Sequence, residues 1–129
     1  MIPERLQYLL RDETKAYLHL ATVMRDGTPQ ITIVWFNYDG THVLVNSSRG
    51  RVKDRNMRRR PDVAALIADP NDPYRYLQIR GPVVDITEEG ADEHIRELAL
   101  KYRGRREYSV ADQRRVIYRI LPEHVYPAR

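Results

Sequence analysis

Hydrophobic and polar residues alternate along most of the chain, and turn-forming residues separate the alternating runs. The runs cover residues 16–24, 29–38, 41–47, 63–69, 74–85 and 115–126. Because alternation with a period of two is typical of half-buried strands, the pattern predicts six strands. Asp26-Gly27 and Asp39-Gly40 separate the first three, and Asp-Gly supplies the positive φ that a tight hairpin requires. A bend or bulge is expected at Gly81-Pro82.

Helical spacing of hydrophobic residues interrupts the strands. It predicts a short helix at residues 3–12 and a longer one at residues 87–102, with Thr87 as its cap. A basic helix begins near Arg51 and ends at Pro61. Six strands with few helices predict a fold that is mainly β with flanking helices, as a small antiparallel barrel. Since 129 residues are enough for one core, we expect residues 1–129 to form a single domain.

The basic helix follows a strand and a hydroxyl-bearing turn, an arrangement typical of anion sites. Ser47 and Ser48 lie in the turn, and Arg51 and Lys53 lie in the first helical turn, where unpaired N–H groups carry partial positive charge. Lys53 and Asn56 fall on one side of the helix and form the candidate phosphate grip. The other side carries Arg55, Arg58 and Arg59. The alternative is that the whole charge run is a solvated helix face.

Composition limits the ligands and the kinds of site that the sequence predicts. The net charge of +4 favours an acidic ligand but does not separate nucleic acid from a phosphate cofactor. The absence of cysteine excludes disulfides and thiolate metal sites, and the four histidines have no metal-ligand spacing, so no metal site is predicted. No nucleophile motif or acid–base pair stands out, which suits a protein whose cofactor carries the chemistry. The sequence has no membrane span or signal-peptide pattern, so we expect a cytoplasmic protein.

Two runs carry a resemblance to a known family. The R-x-K-x-R-N run at Arg51 to Asn56 and the DPYRYLQIRG run at Asp72 to Gly81 are similar to those of split-barrel flavin and deazaflavin reductases. The chain resembles the F420-dependent branch of the pyridoxamine 5′-phosphate oxidase superfamily, closely over Asp26 to Gly81 and more loosely elsewhere. The resemblance implies a six-stranded antiparallel split β-barrel that forms a homodimer, with two cofactor sites at the interface.

The resemblance also implies the roles of individual residues. It assigns the cofactor phosphate to Ser47, Ser48, Arg51 and Lys53, with Asn56 close by. The ring system is expected along Ile33, Val34 and Trp35, and the pocket is completed across the dimer groove by Tyr76 and Gln78. It implies no catalytic side chain.

The resemblance favours coenzyme F420 over flavin mononucleotide (FMN). The FMN-binding oxidases usually carry an Arg and a Lys flanking the second strand, and Ile31 to Phe36 contains neither. F420 has a polyglutamate tail besides its phosphate, which accounts for the additional cations Arg49, Arg55, Arg58 and Arg59.

The function that follows is an F420H2-dependent reductase that transfers hydride to a small unsaturated or quinone-like acceptor. One alternative is an FMN-binding flavoprotein similar to pyridoxamine 5′-phosphate oxidase, and another is a carrier that binds F420 without turnover. Nucleic-acid binding is disfavoured, because the basic helix lacks interleaved aromatic residues and a helix-turn-helix pattern.

Overall fold

The computed structural model describes residues 2–129, which form an antiparallel sheet that curls into a split barrel. The strands are β1 (Leu18–Val23), β2 (Pro29–Val34), β3 (Phe36–Tyr38), β4 (Val43–Ser48), β5 (Asp62–Asp69), β6 (Asp72–Thr87), β7 (Arg115–Ile120) and β8 (His124–Ala128). The α-helices are α1 (Val52–Arg59) and α2 (Ala91–Arg103), and two 3₁₀ helices cover Glu4–Leu10 and Asp12–Thr14. The predicted fold class, a mainly β antiparallel split barrel with flanking helices, is confirmed.

The long strand β6 joins the two halves of the barrel. The strands lie in the order β2-β1-β5-β6-β7-β4-β3, and β8 also pairs with β6. The first part of β6 pairs with β5 and β8, whereas Val83–Thr87 pairs with β7. A single strand therefore passes from one half of the barrel into the other, which requires a sharp bend.

Gly81 and Pro82 form that bend, as the sequence predicts. The register between β6 and β7 shifts between Val83 and Asp85, which marks a bulge. A Cβ atom on Gly81 would lie 1.9 Å from the backbone oxygen of Leu121, so only glycine fits here. The Leu121 N–H donates to Pro82 O at 2.9 Å and fixes the crossing.

Both Asp-Gly turns form the predicted hairpins. Gly27 has φ +91° and Gly40 has φ +97°. The Asp26 carboxylate accepts the Thr28 N–H at 3.0 Å, and the Asp39 carboxylate accepts the His42 N–H at 2.7 Å. These side-chain bonds satisfy turn N–H groups that the sheet leaves unpaired.

Two of the six predicted strand runs are broken. Residues 29–38 divide at Trp35 into β2 and β3, and residues 115–126 divide near Pro122 into β7 and β8. Proline has no N–H for a sheet, so the second break has a local cause. The break at Trp35 has no such local cause and depends on contacts from α2, described below.

The prediction that Thr87 caps the second long helix is wrong. The helix begins at Ala91, and its N-cap is Gly90 in the left-handed conformation, without a side-chain cap bond. Thr87 instead ends β6, where its hydroxyl accepts the Glu89 N–H at 3.1 Å.

Two layers cover β4, which is buried over its whole length. Val43 and Val45 belong to the main core, together with the fully buried rings of Phe36 and Tyr118. Leu44 packs on the other side in a small cluster with residues of α2 and β7. Packing on both faces therefore fixes the position of the end of β4, which carries the predicted serines.

No helix within residues 2–129 has the length and apolarity to cross a membrane.

We predict that Gly81→Ala lowers the free energy of unfolding by about 2–4 kcal/mol, because backbone must move to admit the Cβ. Gly104→Ala is the control: Gly104 has φ +79° but open space around it, so about 1 kcal/mol is expected. Urea denaturation measures both. Equal losses would show that the close approach to Leu121 does not govern the bend.

Candidate anion and cofactor site

The carboxylate of Asp54 fixes the turn between β4 and α1. It accepts the Gly50 N–H at 2.9 Å, the Tyr118 hydroxyl at 2.6 Å and Arg58 Nε at 3.0 Å. Burial alone would raise the pKa of Asp54, but these hydrogen bonds outweigh burial and lower the pKa below its usual value. Asp54 therefore stays ionised and ties the start of α1 to β7.

Contacts from α2 stabilise the break at Trp35 between β2 and β3. The Phe36 N–H donates to the Tyr102 hydroxyl at 3.4 Å, and that hydroxyl donates to Ala16 O at 2.6 Å. Lys101 Nζ donates to Phe36 O at 2.6 Å. The backbone groups freed by the break thus find partners on α2, and the Trp35 ring stacks on Tyr102 with centroids 5.2 Å apart.

A cavity of about 200 Å³ lies between the strand break at Trp35 and the turn that joins β4 to α1. Its walls are Ile33, Val34, Trp35, Asn46, Ser47, Arg51, Lys53, Ile95, Arg103, Tyr108 and Arg115. Six of the sequence-predicted site residues meet here: Ile33, Val34, Trp35, Ser47, Arg51 and Lys53. The predicted ring segment and the predicted phosphate segment therefore border the same space.

Four predicted site residues do not line this cavity. Ser48 lies behind it and donates to Gln113 at 3.1 Å. Asn56 lies on the side of α1 that packs against β1, so its side chain is buried. It donates to the Thr22 hydroxyl at 3.0 Å. Tyr76 and Gln78 lie on β6, three strands away from β2 in the order of the sheet.

Arg115 is the most buried cation of the site, at 4% exposed, and the sequence does not predict its role. Its Nε donates to Asn46 Oδ1 at 2.9 Å, and its Nη1 donates to the Ser48 hydroxyl at 3.0 Å and to Gln113 at 2.8 Å. All three partners are neutral acceptors. The register Ser48↔Arg115 between β4 and β7 creates this neighbourhood, and no local motif signals it.

The cavity carries positive charge without compensation. Within residues 2–129, Arg51, Lys53 and Arg115 have no carboxylate within 4 Å. Burial, followed by the charges of Arg51 and Arg115, lowers the pKa of Lys53. The buried Ser47 hydroxyl in the same wall has no hydrogen-bond partner among those residues. Because buried cations and hydroxyls are costly without partners, this wall suits an anion.

Aromatic rings and an arginine form the other wall. The Arg103 guanidinium lies 4.9 Å from the centre of the Trp35 ring and 5.5 Å from that of Tyr108. Tyr108 meets Trp35 edge-on at 6.1 Å and also lies 5.3 Å from the Arg115 guanidinium. This wall offers a flat, polarisable surface next to the anion-binding wall.

The structure divides the additional arginines of the basic segment. Arg49 pairs with Glu88 at 2.9 Å, and Arg58 pairs with Asp54 at 3.0 Å, so their charges are compensated. Arg55 donates to Gly50 O, and Arg59 donates to Asn56 Oδ1 at 3.2 Å. These last two acceptors are neutral, which leaves two of the four predicted tail-binding cations with uncompensated charge.

A larger cavity of about 650 Å³ lies elsewhere, between the 3₁₀ helices and the strands β3 and β8. Arg11, Asp12 and Glu13 line it, so its charges are mixed. It has no convergent set of uncompensated cations and no link to the predicted residues. The smaller cavity is therefore the better candidate site.

Comparison with known proteins identifies the family of this chain. Residues 2–128 match the family described as pyridoxamine 5′-phosphate oxidase. The chain belongs to this family. A solved structure described as an F420 reductase has 38% sequence identity and a TM-score of 0.87, and the match covers 97% of this chain and 98% of that one. The F420-dependent branch inferred from the sequence is confirmed.

More distant members of the fold are also similar. A conserved hypothetical protein from Mycobacterium tuberculosis has 21% identity and a TM-score of 0.71, covering 97% of this chain and 83% of its own. General stress protein 26 from Bacillus anthracis has 21% identity and a TM-score of 0.70, covering 97% and 92%. At this identity the likeness concerns the fold alone.

His94 of α2 lies behind the cationic wall and is 7% exposed. Its Nδ1 lies 3.0 Å from Asn46 Nδ2, and its Nε2 lies 2.7 Å from Asn37 Oδ1. Burial, followed by the charges of Arg119 and Arg115, lowers the pKa of His94 from 6.5 to about 4. The imidazole is therefore neutral at pH 7.

We predict that this histidine makes stability depend on pH. An unfolded chain protonates His94 near pH 6.5, whereas the folded protein resists protonation down to about pH 4. The contribution is fully present above pH 6.5 and is lost as the pH falls toward 4, by an amount on the order of 3 kcal/mol. Denaturation of the wild type and of His94→Asn at several pH values measures it. Parallel pH profiles for the two proteins would contradict the prediction.

Proposed function

We propose that this protein is an F420H2-dependent reductase that transfers hydride from the reduced deazaflavin to a small unsaturated or quinone-like acceptor. The observation that carries the proposal is the uncompensated set of Lys53, Arg51 and Arg115 around the unpartnered Ser47 hydroxyl. A phosphate group would supply the missing negative charge and accept hydrogen bonds from all four side chains. The likeness to an F420 reductase gives the second support.

Each wall of the cavity then has a task. Lys53, Arg51, Arg115 and Ser47 hold the phosphate, and the segment from Ile33 to Trp35 lies along the ring system. When bound, the reduced cofactor supplies the hydride, so the protein needs no covalent catalyst of its own. Tight anchoring at the phosphate end fixes the position of the ring end, which is how binding contributes to rate.

The uncompensated arginines of α1 favour F420 over FMN. Arg55 and Arg59 are exposed and donate only to neutral acceptors. Both lie on the helix that begins at the phosphate-binding turn, where the glutamate tail of F420 would meet their charges. FMN has a phosphate but no such tail, so an FMN-binding flavoprotein is the less favoured alternative.

We further propose that two copies complete each site. Residues directly opposite each other in a sheet point to the same face. One row across β2, β1, β5, β6 and β8 is Ile33, His19, Leu66, Gln78 and Tyr126. Ile33 is 62% exposed and Tyr126 is 59% exposed. This outer face thus begins at the cavity wall and carries Gln78, with Tyr76 on the same face.

The size of the cavity also supports a dimer. About 200 Å³ is below the range of roughly 300–1,000 Å³ that small-molecule sites usually have. A partner copy seated on the outer face would enclose the open side of the cavity and bring its own Tyr76 and Gln78 to the ring. The sequence predictions for Tyr76 and Gln78 depend on this arrangement. The cytoplasmic location stays a prediction.

A carrier that binds F420 without turnover is the second candidate function, because it needs the same anion site. An assay of F420H2 oxidation separates the reductase from the carrier. It follows the change in absorbance that accompanies oxidation of the deazaflavin when an acceptor is added. Turnover with any quinone-like acceptor supports the reductase. Tight binding of F420H2 with no turnover across a panel of quinones and enones would favour the carrier.

We predict that Lys53→Ala weakens F420 binding by about 1.5–3 kcal/mol, which is the loss expected for a charge-assisted hydrogen bond. Arg59→Ala is the matched comparison on the same helix: Arg59 is exposed and outside the cavity, so its attraction to the glutamate tail is screened by salt and its loss should cost much less. Isothermal titration measures both affinities. Equal losses, or none for Lys53→Ala, would refute the phosphate assignment.

The dimer has its own test. Leu66→Glu places a charge in the middle of the outer face, so we predict that it converts a dimer into a monomer. Leu100→Glu is the control, because Leu100 is 48% exposed on α2 and lies outside this face. Light scattering at micromolar concentration gives the mass of each protein. A monomeric wild type would refute the proposed dimer.

A further inference from the structure

Four buried or half-buried polar side chains form a continuous chain of hydrogen bonds behind the cationic wall. Asn37 of β3, His94 of α2, Asn46 of β4 and Arg115 of β7 are linked by contacts of 2.7, 3.0 and 2.9 Å. Asn46 and Arg115 line the cavity, whereas Asn37 and His94 do not. Buried polar groups of this kind need a reason to be kept in a protein core.

The direction of every hydrogen bond in the chain follows from Arg115. A guanidinium only donates, so Asn46 must turn its Oδ1 toward Arg115 Nε. Asn46 Nδ2 then donates to Ala91 O at 2.9 Å and to His94 Nδ1 at 3.0 Å. His94 Nδ1 is therefore the acceptor, and its proton lies on Nε2, which donates to Asn37 Oδ1. No member of the chain is left with a conflicting role.

This chain of hydrogen bonds also determines which guanidinium nitrogen of Arg115 is left without a partner. Nε is held by Asn46, and Nη1 is held by Ser48 and Gln113. Nη2 donates to no residue among those the structure describes, and Arg115 lines the cavity. The guanidinium is thus fixed on two of its three nitrogens, and the third has no partner among residues 2–129.

We propose that His94, acting through Asn46, is a positioning residue that fixes the Arg115 guanidinium for binding an anionic phosphate group in the cavity. The proposal rests on the proposed function in that it assigns the cavity to a phosphate ligand. Pre-positioning lowers the entropy lost when the ligand binds, because the guanidinium is already in place. It also explains why an uncharged acceptor network surrounds Arg115: a carboxylate there would neutralise the charge that the ligand needs.

Two substitutions at His94 separate positioning from packing. His94→Asn keeps an acceptor near the Nδ1 position and can still accept from Asn46. His94→Gln reaches toward Asn37 but leaves Asn46 without that acceptor. Both remove the ring, so a packing defect affects both. We expect His94→Gln to weaken binding of inorganic phosphate about fivefold, the effect of losing one hydrogen bond, and His94→Asn to weaken it less than twofold.

A double-substitution cycle tests whether the effect passes through Arg115. In an Arg115→Met background, His94→Gln should change phosphate affinity less than twofold. Full additivity of the two losses, or equal losses for both His94 variants, would overturn the proposal. Thermal unfolding of each variant identifies changes that are only structural.

The wild type gives an independent readout that holds even where a variant fails to fold. The ¹⁵N chemical shifts of the His94 ring at pH 7 should show a protonated Nε2 and an unprotonated Nδ1. The opposite tautomer would overturn the proposal. Inorganic phosphate is the probe because its binding does not depend on the cofactor. A wild type that binds phosphate but not F420 would refute the proposed function and leave the role of His94 intact.

Discussion

The hydrogen bonds to the buried carboxylate of Asp54 hold the two parts of the anion site together. Asp54 accepts from Gly50 in the turn after β4 and from Tyr118 of β7, the strand that also carries Arg115. The turn, the first residues of α1 and β7 are thereby fixed relative to one another. The pairing of β4 with β7 already brings Ser47 close to Arg115, and Asp54 fixes α1, which carries Lys53, against both strands. One carboxylate outside the cavity, kept ionised by its donors, allows several cations to converge on a space that no carboxylate of residues 2–129 lines.

Helix α2 does for the ring end of the cavity what Asp54 does for the phosphate end. Breaking a strand at Trp35 frees backbone groups, and Lys101 and Tyr102 supply their partners. Burial of Lys101 lowers its pKa, although Asp12 at 3.6 Å opposes the effect. A buried lysine is costly, and its contact with Phe36 O explains why it is retained. The same helix carries His94 and Arg103. One element therefore supports the strand break at Trp35, the hydrogen-bond chain behind the cationic wall, and the aromatic wall.

The sequence is sufficient for most of the elements and for about half of the candidate site. Asp-Gly turns, strand alternation and the basic helix all have local signals, and Ser47, Arg51 and Lys53 follow from them. Arg115 lies more than sixty residues away, and only the register between β4 and β7 brings it to Ser48. Asn56 was assigned from a helical wheel, which gives the side of a helix but not what packs there. Arg103 and Tyr108 surround Trp35 through tertiary contacts that no spacing encodes.

The central claim is that the cationic cavity binds coenzyme F420 through its phosphate and tail. Trp35 is the only tryptophan of the sequence and lines this cavity, so its fluorescence reports on ligand binding directly. The decisive measurement is a titration of the wild-type protein with F420 and with FMN, followed by the quenching of Trp35. We predict saturable quenching by both cofactors, with F420 bound more tightly. Tighter binding of FMN, or no quenching by F420, would contradict it.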